Sequence, residues 1–456
     1  MNKKVEGLSF DTAFGEGGFV NLNNPGNFGG AVEGIKILAD GSLIALTLIK
    51  VNGESNKPAL VKISENGELV DEFGDGGCTD INFLEPDVPW GMVSATLTSD
   101  EQKFFVLAQG KSGFEWRLVC LDANGHQDMA FGRNGVVVIR ADVFTNEDTQ
   151  KTVEGSAYST ARTDLFSSDK TTSEASNPSV APSIDVDDKG ILVTMTPAYG
   201  EARVYSLIRR YTYQGELDKT FGDNGSGQIA IKGYADAPDR FESLVVTRGV
   251  ISLSDGYLVY GNMTPFEYVS GASRGFVKKL DLTGKAYEGF GKEGYVLLPS
   301  TYDGKHIPYV GGLMVDSEGR IVGYTGVSGL DDGAGLFRLS MQDGVFDGTF
   351  HGSADFHPEG TAVIGGIYED DEKRLVVCGN AFAELSSPKP FVARWTPDGD
   401  VDSSFGEKGW LPFPSTEATA IYSLSLQDGQ ALIGGNYRAA ERKGFLARML
   451  PFDDIK

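Results

Sequence analysis

Residues 206–229, SLIRRYTYQGELDKTFGDNGSGQI, decide the fold. The segment holds an apolar run that ends at Arg210, a turn around Gly215, and the pair Phe221-Gly222, after which a second apolar run begins. Glycine and asparagine at such turns supply the positive φ that tight hairpins require. The segment therefore predicts two short antiparallel strands joined by a turn.

The Phe-Gly pair recurs along the chain, followed in most copies by a further Gly and an apolar run; we call it the Phe-Gly motif. It begins at Phe14, Phe73, Phe131, Phe221, Phe290 and Phe405, with a degenerate copy, FHGSADF, at Phe350. The intervals are 59, 58, 90, 69, 60 and 55 residues, so only the third is much longer than the others. Seven copies at this spacing indicate seven repeated units.

Each unit contains four apolar runs and therefore predicts four short strands. One run follows the Phe-Gly motif, two flank an Asp-Gly-type turn such as the one at Asp255-Gly256, and the last ends near a Lys or Arg. Seven four-stranded antiparallel units form a ring more readily than a sandwich, because a ring leaves only short, protected edges. We predict an all-β fold, a seven-bladed β-propeller.

The two ends of the chain predict how this ring closes. The sequence opens inside a unit, with a strand at residues 18–22, and its last unit stops after a third strand at residues 444–450. The N-terminal strand is therefore expected to complete the last blade. We predict one propeller domain over residues 1–456, with a polar insert at residues 142–178 between two blades that is too poor in large aliphatic side chains to order itself.

The repeat resembles the delta-60 repeat family, a bacterial repeat of propeller form. The shared pattern is Leu-Asp, Phe-Gly and Gly at fixed spacing, followed by Asp-Gly and an apolar strand. It is clearest at residues 217–225 and 402–409, and it is broken at His351 and Asp355. The resemblance implies the fold and implies no activity for any residue.

Charge and composition exclude several classes of function. The 456 residues include 40 Lys and Arg against 64 Asp and Glu, for a net charge of −24. Such a chain repels nucleic-acid phosphates and anionic membranes. No run is long and apolar enough to span a bilayer, and the first residues lack the apolar core of a secretory signal. We expect a monomer that resides in the cytoplasm, with signal-independent export as the other possibility.

Loops of two kinds alternate along the repeat and are expected on opposite faces of the disc. The turn face carries the Asp-Gly turns and the turns before each Phe-Gly motif, which repeat nearly unchanged. The loop face carries connections that vary in length and composition, as binding loops do on a rigid scaffold. Our candidate binding residues on the loop face are Trp90, Trp116, Tyr268, Tyr309, Asp331, Asp332, Tyr437 and Arg438.

The chain offers little support for a metal site or for catalysis. His126, His306, His351 and His357 lack metal-ligand spacing, and Cys78, Cys120 and Cys378 are far apart in apolar runs. No nucleophile elbow, phosphate loop or dinucleotide motif is present. We expect no cofactor; calcium is considered only at Asp331 and Asp332, since calcium prefers carboxylate oxygens.

Two functional hypotheses follow. The first is a non-enzymatic recognition scaffold that binds a protein or carbohydrate partner on the loop face, where aromatic rings stack on sugars or anchor a protein. The alternative is a hydrolase or lyase whose carboxylates gather at the channel mouth, with or without calcium. A propeller fold alone does not choose between them.

Overall fold

The computed structural model describes the strands and turns of every repeat. The described residues are 8–22, 31–51, 55–84, 93–109, 115–140, 183–195, 206–231, 243–265, 274–299, 301–302, 305–306, 309–326, 335–352, 356, 358, 361–382, 388–406, 408–414, 419–427, 429–438 and 442–451. The predicted insert at residues 142–178 lies outside them. Within these ranges no helix is long and apolar enough to cross a membrane.

The described chain forms twenty-eight strands and one short 3-10 helix, Asp223–Gly225. The strands are β1 Phe19–Asn21, β2 Gly34–Ile37, β3 Leu43–Val51, β4 Ser55–Ile63, β5 Val93–Leu97, β6 Lys103–Gln109, β7 Glu115–Asp122, β8 Val136–Arg140, β9 Ser183–Val186, β10 Ile191–Met195, β11 Ser206–Tyr211, β12 Gln228–Ile231, β13 Ser243–Leu253, β14 Gly256–Pro265, β15 Arg274–Asp281, β16 Tyr295–Leu297, β17 Thr301–Tyr302, β18 Lys305–His306, β19 Tyr309–Val315, β20 Ile321–Gly326, β21 Leu336–Leu339, β22 Thr361–Glu369, β23 Leu375–Phe382, β24 Pro388–Trp395, β25 Trp410–Pro412, β26 Thr419–Gln427, β27 Gln430–Arg438 and β28 Arg442–Arg448.

These strands form seven antiparallel blades, which confirms the predicted seven-bladed propeller. The blades are β2–β4, β5–β8, β9–β12, β13–β16, β19–β21, β22–β25 and β26–β28 with β1, numbered 1 to 7 in that order. In blade 1 the fourth position is marked by a bridge between Val61 and Cys78. In blade 5 it is marked by Gly352, which lies against the Leu336 backbone of the third strand. A small hairpin, β17–β18, interrupts the connection from blade 4 to blade 5.

The N-terminal strand completes blade 7, as predicted. β1 pairs antiparallel with β28, with Val20 opposite Leu446. Arg448 binds Asp11 through a 2.7 Å ion pair next to this junction. The first and last described strands therefore lie in one sheet, and the ring is closed by hydrogen bonds between the two ends of the chain.

The core lies between the blades. Among the described residues, one apolar cluster fills each of the seven interfaces between neighbouring blades, including the interface of blade 7 with blade 1. The middle strands are largely buried, and β10 and β23 are buried along their whole length. Since each blade is covered on both faces by its neighbours, its strands read as continuous apolar runs and do not alternate strictly.

The Phe-Gly motif joins each blade to the next. Its Phe ring is buried, and the amide that follows it donates a hydrogen bond of 2.7–2.8 Å to a carbonyl in a turn of the following blade. The six described pairs are Gly15 to Asn66, Gly74 to Asn124, Gly132 to Gln214, Gly222 to Thr283, Gly291 to Asp343 and His351 to Asp398. The amide of His351 thus makes the same bond in blade 5, although its residue departs from the sequence pattern.

An arginine on the third strand reinforces this junction in blades 3, 5, 6 and 7. Arg210, Arg338, Arg394 and Arg448 are each at most 6% exposed, and each stacks 4.6–4.8 Å from the centre of its Phe-Gly ring. Each also forms an ion pair of 2.7–2.8 Å with an Asp that begins the motif turn. The motif residues on the turn face therefore make contacts within and between blades that hold the ring together.

Candidate functional site

From blade 2 through blade 7 and on to blade 1, the first strand of each blade contacts the first strand of the next, so these strands lie on the inner side of the ring. They run from the loop face toward the Asp-Gly turns, so their first residues border the loop face. Of the predicted binding residues, Trp116, Tyr309, Tyr437 and the backbone of Arg438 belong to described strands. Trp90, Tyr268, Asp331 and Asp332 lie outside the described residues.

Trp116 is a core residue. It is 1% exposed and belongs to the apolar cluster between blades 2 and 3, with Ile139 and Leu207. The sequence predicted an exposed ring because Trp116 follows a variable loop. Its position as the second residue of β7, opposite Ile139 of β8, turns the ring inward instead. The burial gives Trp116 a packing role.

Tyr437 lies at the loop-face end of β27 and is half-buried. Its ring centre is 4.9 Å from that of Phe445, with the planes inclined by 33°. Phe445 is fully buried in the cluster between blades 6 and 7. Tyr437 is therefore anchored on its inner side by the core, while it remains next to the connection between β27 and β28.

Tyr309 forms a stacked pair with a residue that the sequence did not single out. It is the first residue of β19 in blade 5, and the guanidinium carbon of Arg248 lies 3.7 Å from the centre of its ring. Arg248 belongs to β13, the first strand of blade 4. Both side chains are half-buried. A cation and an aromatic face from two neighbouring blades thus meet beside the channel.

A β-bulge presents Arg248. The pairing of β13 with β14 shifts between Thr247 and Gly249, so Arg248 is the extra residue. The first strands of blades 5, 6 and 7 have the same irregularity, at Gly311, Gly365 and Tyr422. Bulges bend a strand and redirect a side chain. Four consecutive blades therefore carry a bulge in the strand that lines the channel.

Buried polar side chains on neighbouring blades hold the strands beside two of these bulges. The side-chain nitrogen of Asn380 in blade 6 donates to the carbonyl of Ile421 at 2.8 Å, and its oxygen accepts from the Ile421 amide at 2.9 Å. Ser206 in blade 3 binds the carbonyl of Val245 and the amide of Thr247 in the same way. These contacts leave the backbone next to the bulges satisfied, although it departs from regular pairing.

The turn face, expected to be purely structural, contains a cavity of about 740 Å³. It is lined by residues of the first strands of blades 1, 2 and 3, by residues of β3, β4 and β6, and by the adjoining turns. Ile44, Leu46, Leu60 and Phe104 form the apolar part of the lining. The polar part includes Asp100, Asp185, Asp187, Asp188 and Tyr213.

Two side chains that line this cavity, Asp185 and Tyr213, have raised pKa values. Burial raises the pKa of Asp185, and the neighbouring Asp187 carboxylate adds to the rise. One oxygen of Asp185 accepts a 2.6 Å hydrogen bond from the amide of Ser252 in blade 4. Burial also raises the pKa of Tyr213 to about 12, and nearby carboxylates contribute to the rise. Carboxyl groups in a cleft whose pKa is shifted in this way are candidates for a binding or catalytic role.

The histidines and cysteines of the described strands do not gather into a centre. In the described part of the chain, no three His, Cys, Asp or Glu side chains are arranged to hold a metal ion. The ring of His351 binds both oxygens of Asp400 at 3.0 Å on the turn face. Cys120 and Cys378 are buried, and Cys78 is half-buried.

Comparisons with known proteins support the propeller and little else. The family described as "domain of unknown function (DUF5122) beta-propeller" matches residues 373–405, which span β23, β24 and the Phe-Gly motif of blade 6. A search of curated proteins finds no match. The matched stretch and the seven blades together support a β-propeller repeat protein.

Among solved structures, the apo form of prolyl oligopeptidase B from Galerina marginata is similar over 93% of this chain and 49% of its own, with 12% identity and a TM-score of 0.50. The chain thus spans about half the length of that peptidase. A protein of unknown function from Dyadobacter fermentans is similar over 95% of this chain and 98% of its own, with 10% identity and a TM-score of 0.43. At 12% identity, the likeness to the peptidase concerns the fold alone.

Proposed function

We propose that this propeller is a non-enzymatic recognition scaffold that binds a protein or carbohydrate partner on its loop face. The stacked pair of Arg248 and Tyr309 is the observation that carries the proposal. A half-buried aromatic ring and a guanidinium from two different blades meet beside the channel, and a bulge redirects the arginine. Arginine and tyrosine are enriched in binding hot spots, because both combine apolar area with hydrogen-bond donors.

The residues of the two faces differ in their roles, and this difference supports the same proposal. On the turn face the repeated Phe, Gly, Arg and Asp residues are used in contacts between blades. The connections of the loop face are free to vary, because the fold does not depend on a repeated motif there. Tyr437 adds a second anchored ring beside that face. Rigid aromatic anchors of this kind bind at low entropic cost, since their rings are already held.

A hydrolase or lyase is the second candidate, and Asp185 is the described residue that favours it. Its pKa is raised and it belongs to a first strand, as a general acid in the channel would require. The candidate calcium ligands, Asp331 and Asp332, belong to this alternative. Membership of the delta-60 repeat family, a monomeric state, a cytoplasmic or exported location and the absence of nucleic-acid or membrane partners remain predictions.

The test is a binding screen with matched variants. The full chain is applied to a glycan array and to a panel of immobilised peptides, beside Tyr309→Ala, Arg248→Ala and the control Tyr368→Ala. Tyr368 is 36% exposed and lies at the turn-face end of β22, away from Tyr309. We expect a selective signal that falls at least tenfold in the first two variants and is unchanged in the control.

The screen also separates the two candidates. Turnover of chromogenic glycosides or esters that is lost in Asp185→Asn would support the enzyme and contradict the scaffold. A binding signal that falls equally in Tyr309→Ala, Arg248→Ala and the control Tyr368→Ala would mean that the partner does not bind specifically at the Arg248–Tyr309 pair. That result would contradict the proposed site.

A further inference from the structure

The cavity on the turn face is separate from the loop face and has a chemistry of its own. It is lined by residues of β2, β5 and β9, the first strands of blades 1, 2 and 3, together with residues of β3, β4 and β6. Its volume of about 740 Å³ lies within the usual range of ligand pockets, roughly 300 to 1,000 Å³. The space is therefore sufficient for a small organic molecule.

One side of the cavity is hydrocarbon. Ile44, Leu46, Leu60 and Phe104 line it, and all four belong to the apolar cluster between blades 1 and 2. They are held by the core of the fold, so this wall is formed before any ligand arrives. An apolar group placed against it gains burial without the cost of ordering flexible side chains.

Acidic residues outnumber basic ones in the rest of the lining. Asp100, Asp185, Asp187 and Asp188 line the cavity together with Lys36 and Lys103. Asp185 accepts a hydrogen bond from the Ser252 amide and Asp187 from the Tyr257 hydroxyl, both in blade 4, and Asp188 is 3.0 Å from the Lys189 ammonium at the surface. The Lys103 ammonium is 3.3 Å from Asp128, an acidic residue outside the cavity, so part of its charge is already compensated. The cavity thus favours a positive ligand.

Tyr213 lines the same cavity beside these acidic residues. Its hydroxyl donates a hydrogen bond to the carbonyl of Asp187. Burial raises its pKa to about 12, and the four cavity carboxylates all raise it further. Burial is the larger cause of this rise, and the carboxylates add to it. Tyr213 therefore lies close to the acidic residues of the cavity that it lines.

We propose that this cavity binds a small organic cation, an ammonium or guanidinium group on a hydrocarbon body. In this proposal the cationic head lies near the exposed carboxylates of Asp100 and Asp188, and the body lies along Leu46 and Phe104. The neutral aliphatic wall selects against small inorganic cations, while the carboxylates select against neutral and anionic molecules of the same shape. This site is independent of the recognition surface proposed for the loop face.

The test uses n-hexylammonium as the probe and n-hexanol and hexanoate as controls of equal length. Binding to the full chain is measured by isothermal titration calorimetry and by saturation-transfer NMR at 20 and 200 mM salt. We expect saturable binding of n-hexylammonium that weakens at higher salt, with at least tenfold weaker binding of both controls.

Variants locate the site. Asp100→Asn with Asp188→Asn removes two exposed charges from the cavity, and we expect it to weaken n-hexylammonium binding at least fivefold. Asp371→Asn removes an equally exposed charge from the corresponding turn of blade 6 and should change nothing. Ala95→Phe fills the cavity and should abolish binding, provided that circular dichroism shows the native fold.

Three results would overturn the proposal: no saturable binding up to 10 mM, equal binding of the three probes, or equal loss in Asp371→Asn and the cavity variants. The first would leave the cavity without the proposed ligand class. The second would show a purely apolar pocket. The third would show a general attraction of the acidic surface for cations.

Discussion

The guanidinium carbon of Arg210 lies 4.8 Å from the centre of the Phe221 ring. The same arginine donates to Asp218 at 2.7 Å and to the carbonyl of Leu282 in the next blade at 2.7 Å. One buried cation thus joins the Phe-Gly motif of its own blade to the following blade. This arrangement explains why the Phe, the acidic residue and the arginine recur together in the sequence.

Replacing this arginine should destabilise the ring strongly. Arg210→Met leaves the carboxylate of Asp218 without its partner in a buried site, which typically costs about 3 to 5 kcal/mol. We expect a clear fall in the urea midpoint, measured by intrinsic fluorescence. Lys189→Met is the control, because Lys189 pairs with Asp188 at the surface, where such pairs contribute about 1 kcal/mol or less. Equal effects of the two substitutions would contradict the structural role of Arg210.

The same junction in blade 5 predicts a dependence on pH. Hydrogen bonding from the Thr349 hydroxyl and the nearby Arg338 guanidinium lower the pKa of Asp347 from 3.8 to about 2, despite opposing burial. Because the folded pKa is depressed, the stabilisation is complete above the unfolded pKa and is lost as the pH falls through the folded value.

The measurement compares urea midpoints of the native chain and of Asp347→Asn between pH 6 and pH 2. We expect the variant to be less stable at pH 6, with the difference shrinking between about pH 4 and pH 2 as the native carboxylate becomes protonated. A difference that grows as the pH falls would mean that Asp347 is not held in its ionised form.

Glycine is required in the Phe-Gly motif for two separable reasons. Gly222 has φ +82°, and a Cβ there would lie 2.2 Å from the carbonyl oxygen of Gln228. Gly17 has φ +64° with nothing near its Cβ position. We expect Gly17→Ala to cost about 1 kcal/mol from backbone strain alone, and Gly222→Ala to cost more than about 3 kcal/mol because strain and collision add. Thermal unfolding of both variants measures the difference, and equal losses would exclude the collision.

The sequence was sufficient for the ring because the relevant signals are local. The Phe-Gly motif, its turn and its flanking apolar runs lie within about twenty residues, and their sevenfold repetition indicates the blade count. The closing strand followed from the same count, since blade 7 lacked only its last strand. Each of these features depends on residues that are near in sequence.

The channel could not be predicted because its contacts join different blades. Arg248 and Tyr309 are 61 positions apart, and Asn380 binds Ile421 across 41 positions. No periodic pattern in the sequence distinguishes an arginine at a β-bulge, such as Arg248, from any other arginine on a strand. The burial of Trp116 could not be predicted for the same reason, because the neighbouring blade that buries it follows a long insert. The cavity on the turn face also arises from three blades together.

Cys120 and Cys378 should be chemically inert in the folded chain. Burial raises the pKa of the Cys378 thiol to about 12, and burial has the same effect on Cys120. The thiolate is the reactive form, so very little of either residue is reactive at pH 8. We expect slow labelling by Ellman's reagent in buffer and complete labelling of three thiols in urea. Rapid labelling of more than one thiol in buffer would contradict the buried positions; Cys78, the half-buried thiol, is expected to react first.

Closure of the ring by β1 gives the final prediction. Phe19 packs 4.2 Å from Phe10 between ring centres, and both rings contact Phe413 of blade 6. Phe19→Ala therefore weakens the pairing of β1 with β28 and the interface with blade 6 at once. Since Phe19 is half-buried, we expect a loss of about 2 kcal/mol, below the 3 to 5 kcal/mol typical of fully buried rings.

The matched control for closure is Phe346→Ala, because Phe346 is 42% exposed on a blade that does not close the ring. It should change stability by less than about 0.5 kcal/mol. The two variants are compared by urea denaturation and by limited proteolysis of residues 8–22. If β1 closes the ring, Phe19→Ala exposes this segment to cleavage before global unfolding, whereas Phe346→Ala does not. Cleavage at the same rate in both variants would mean that the ring is held without β1.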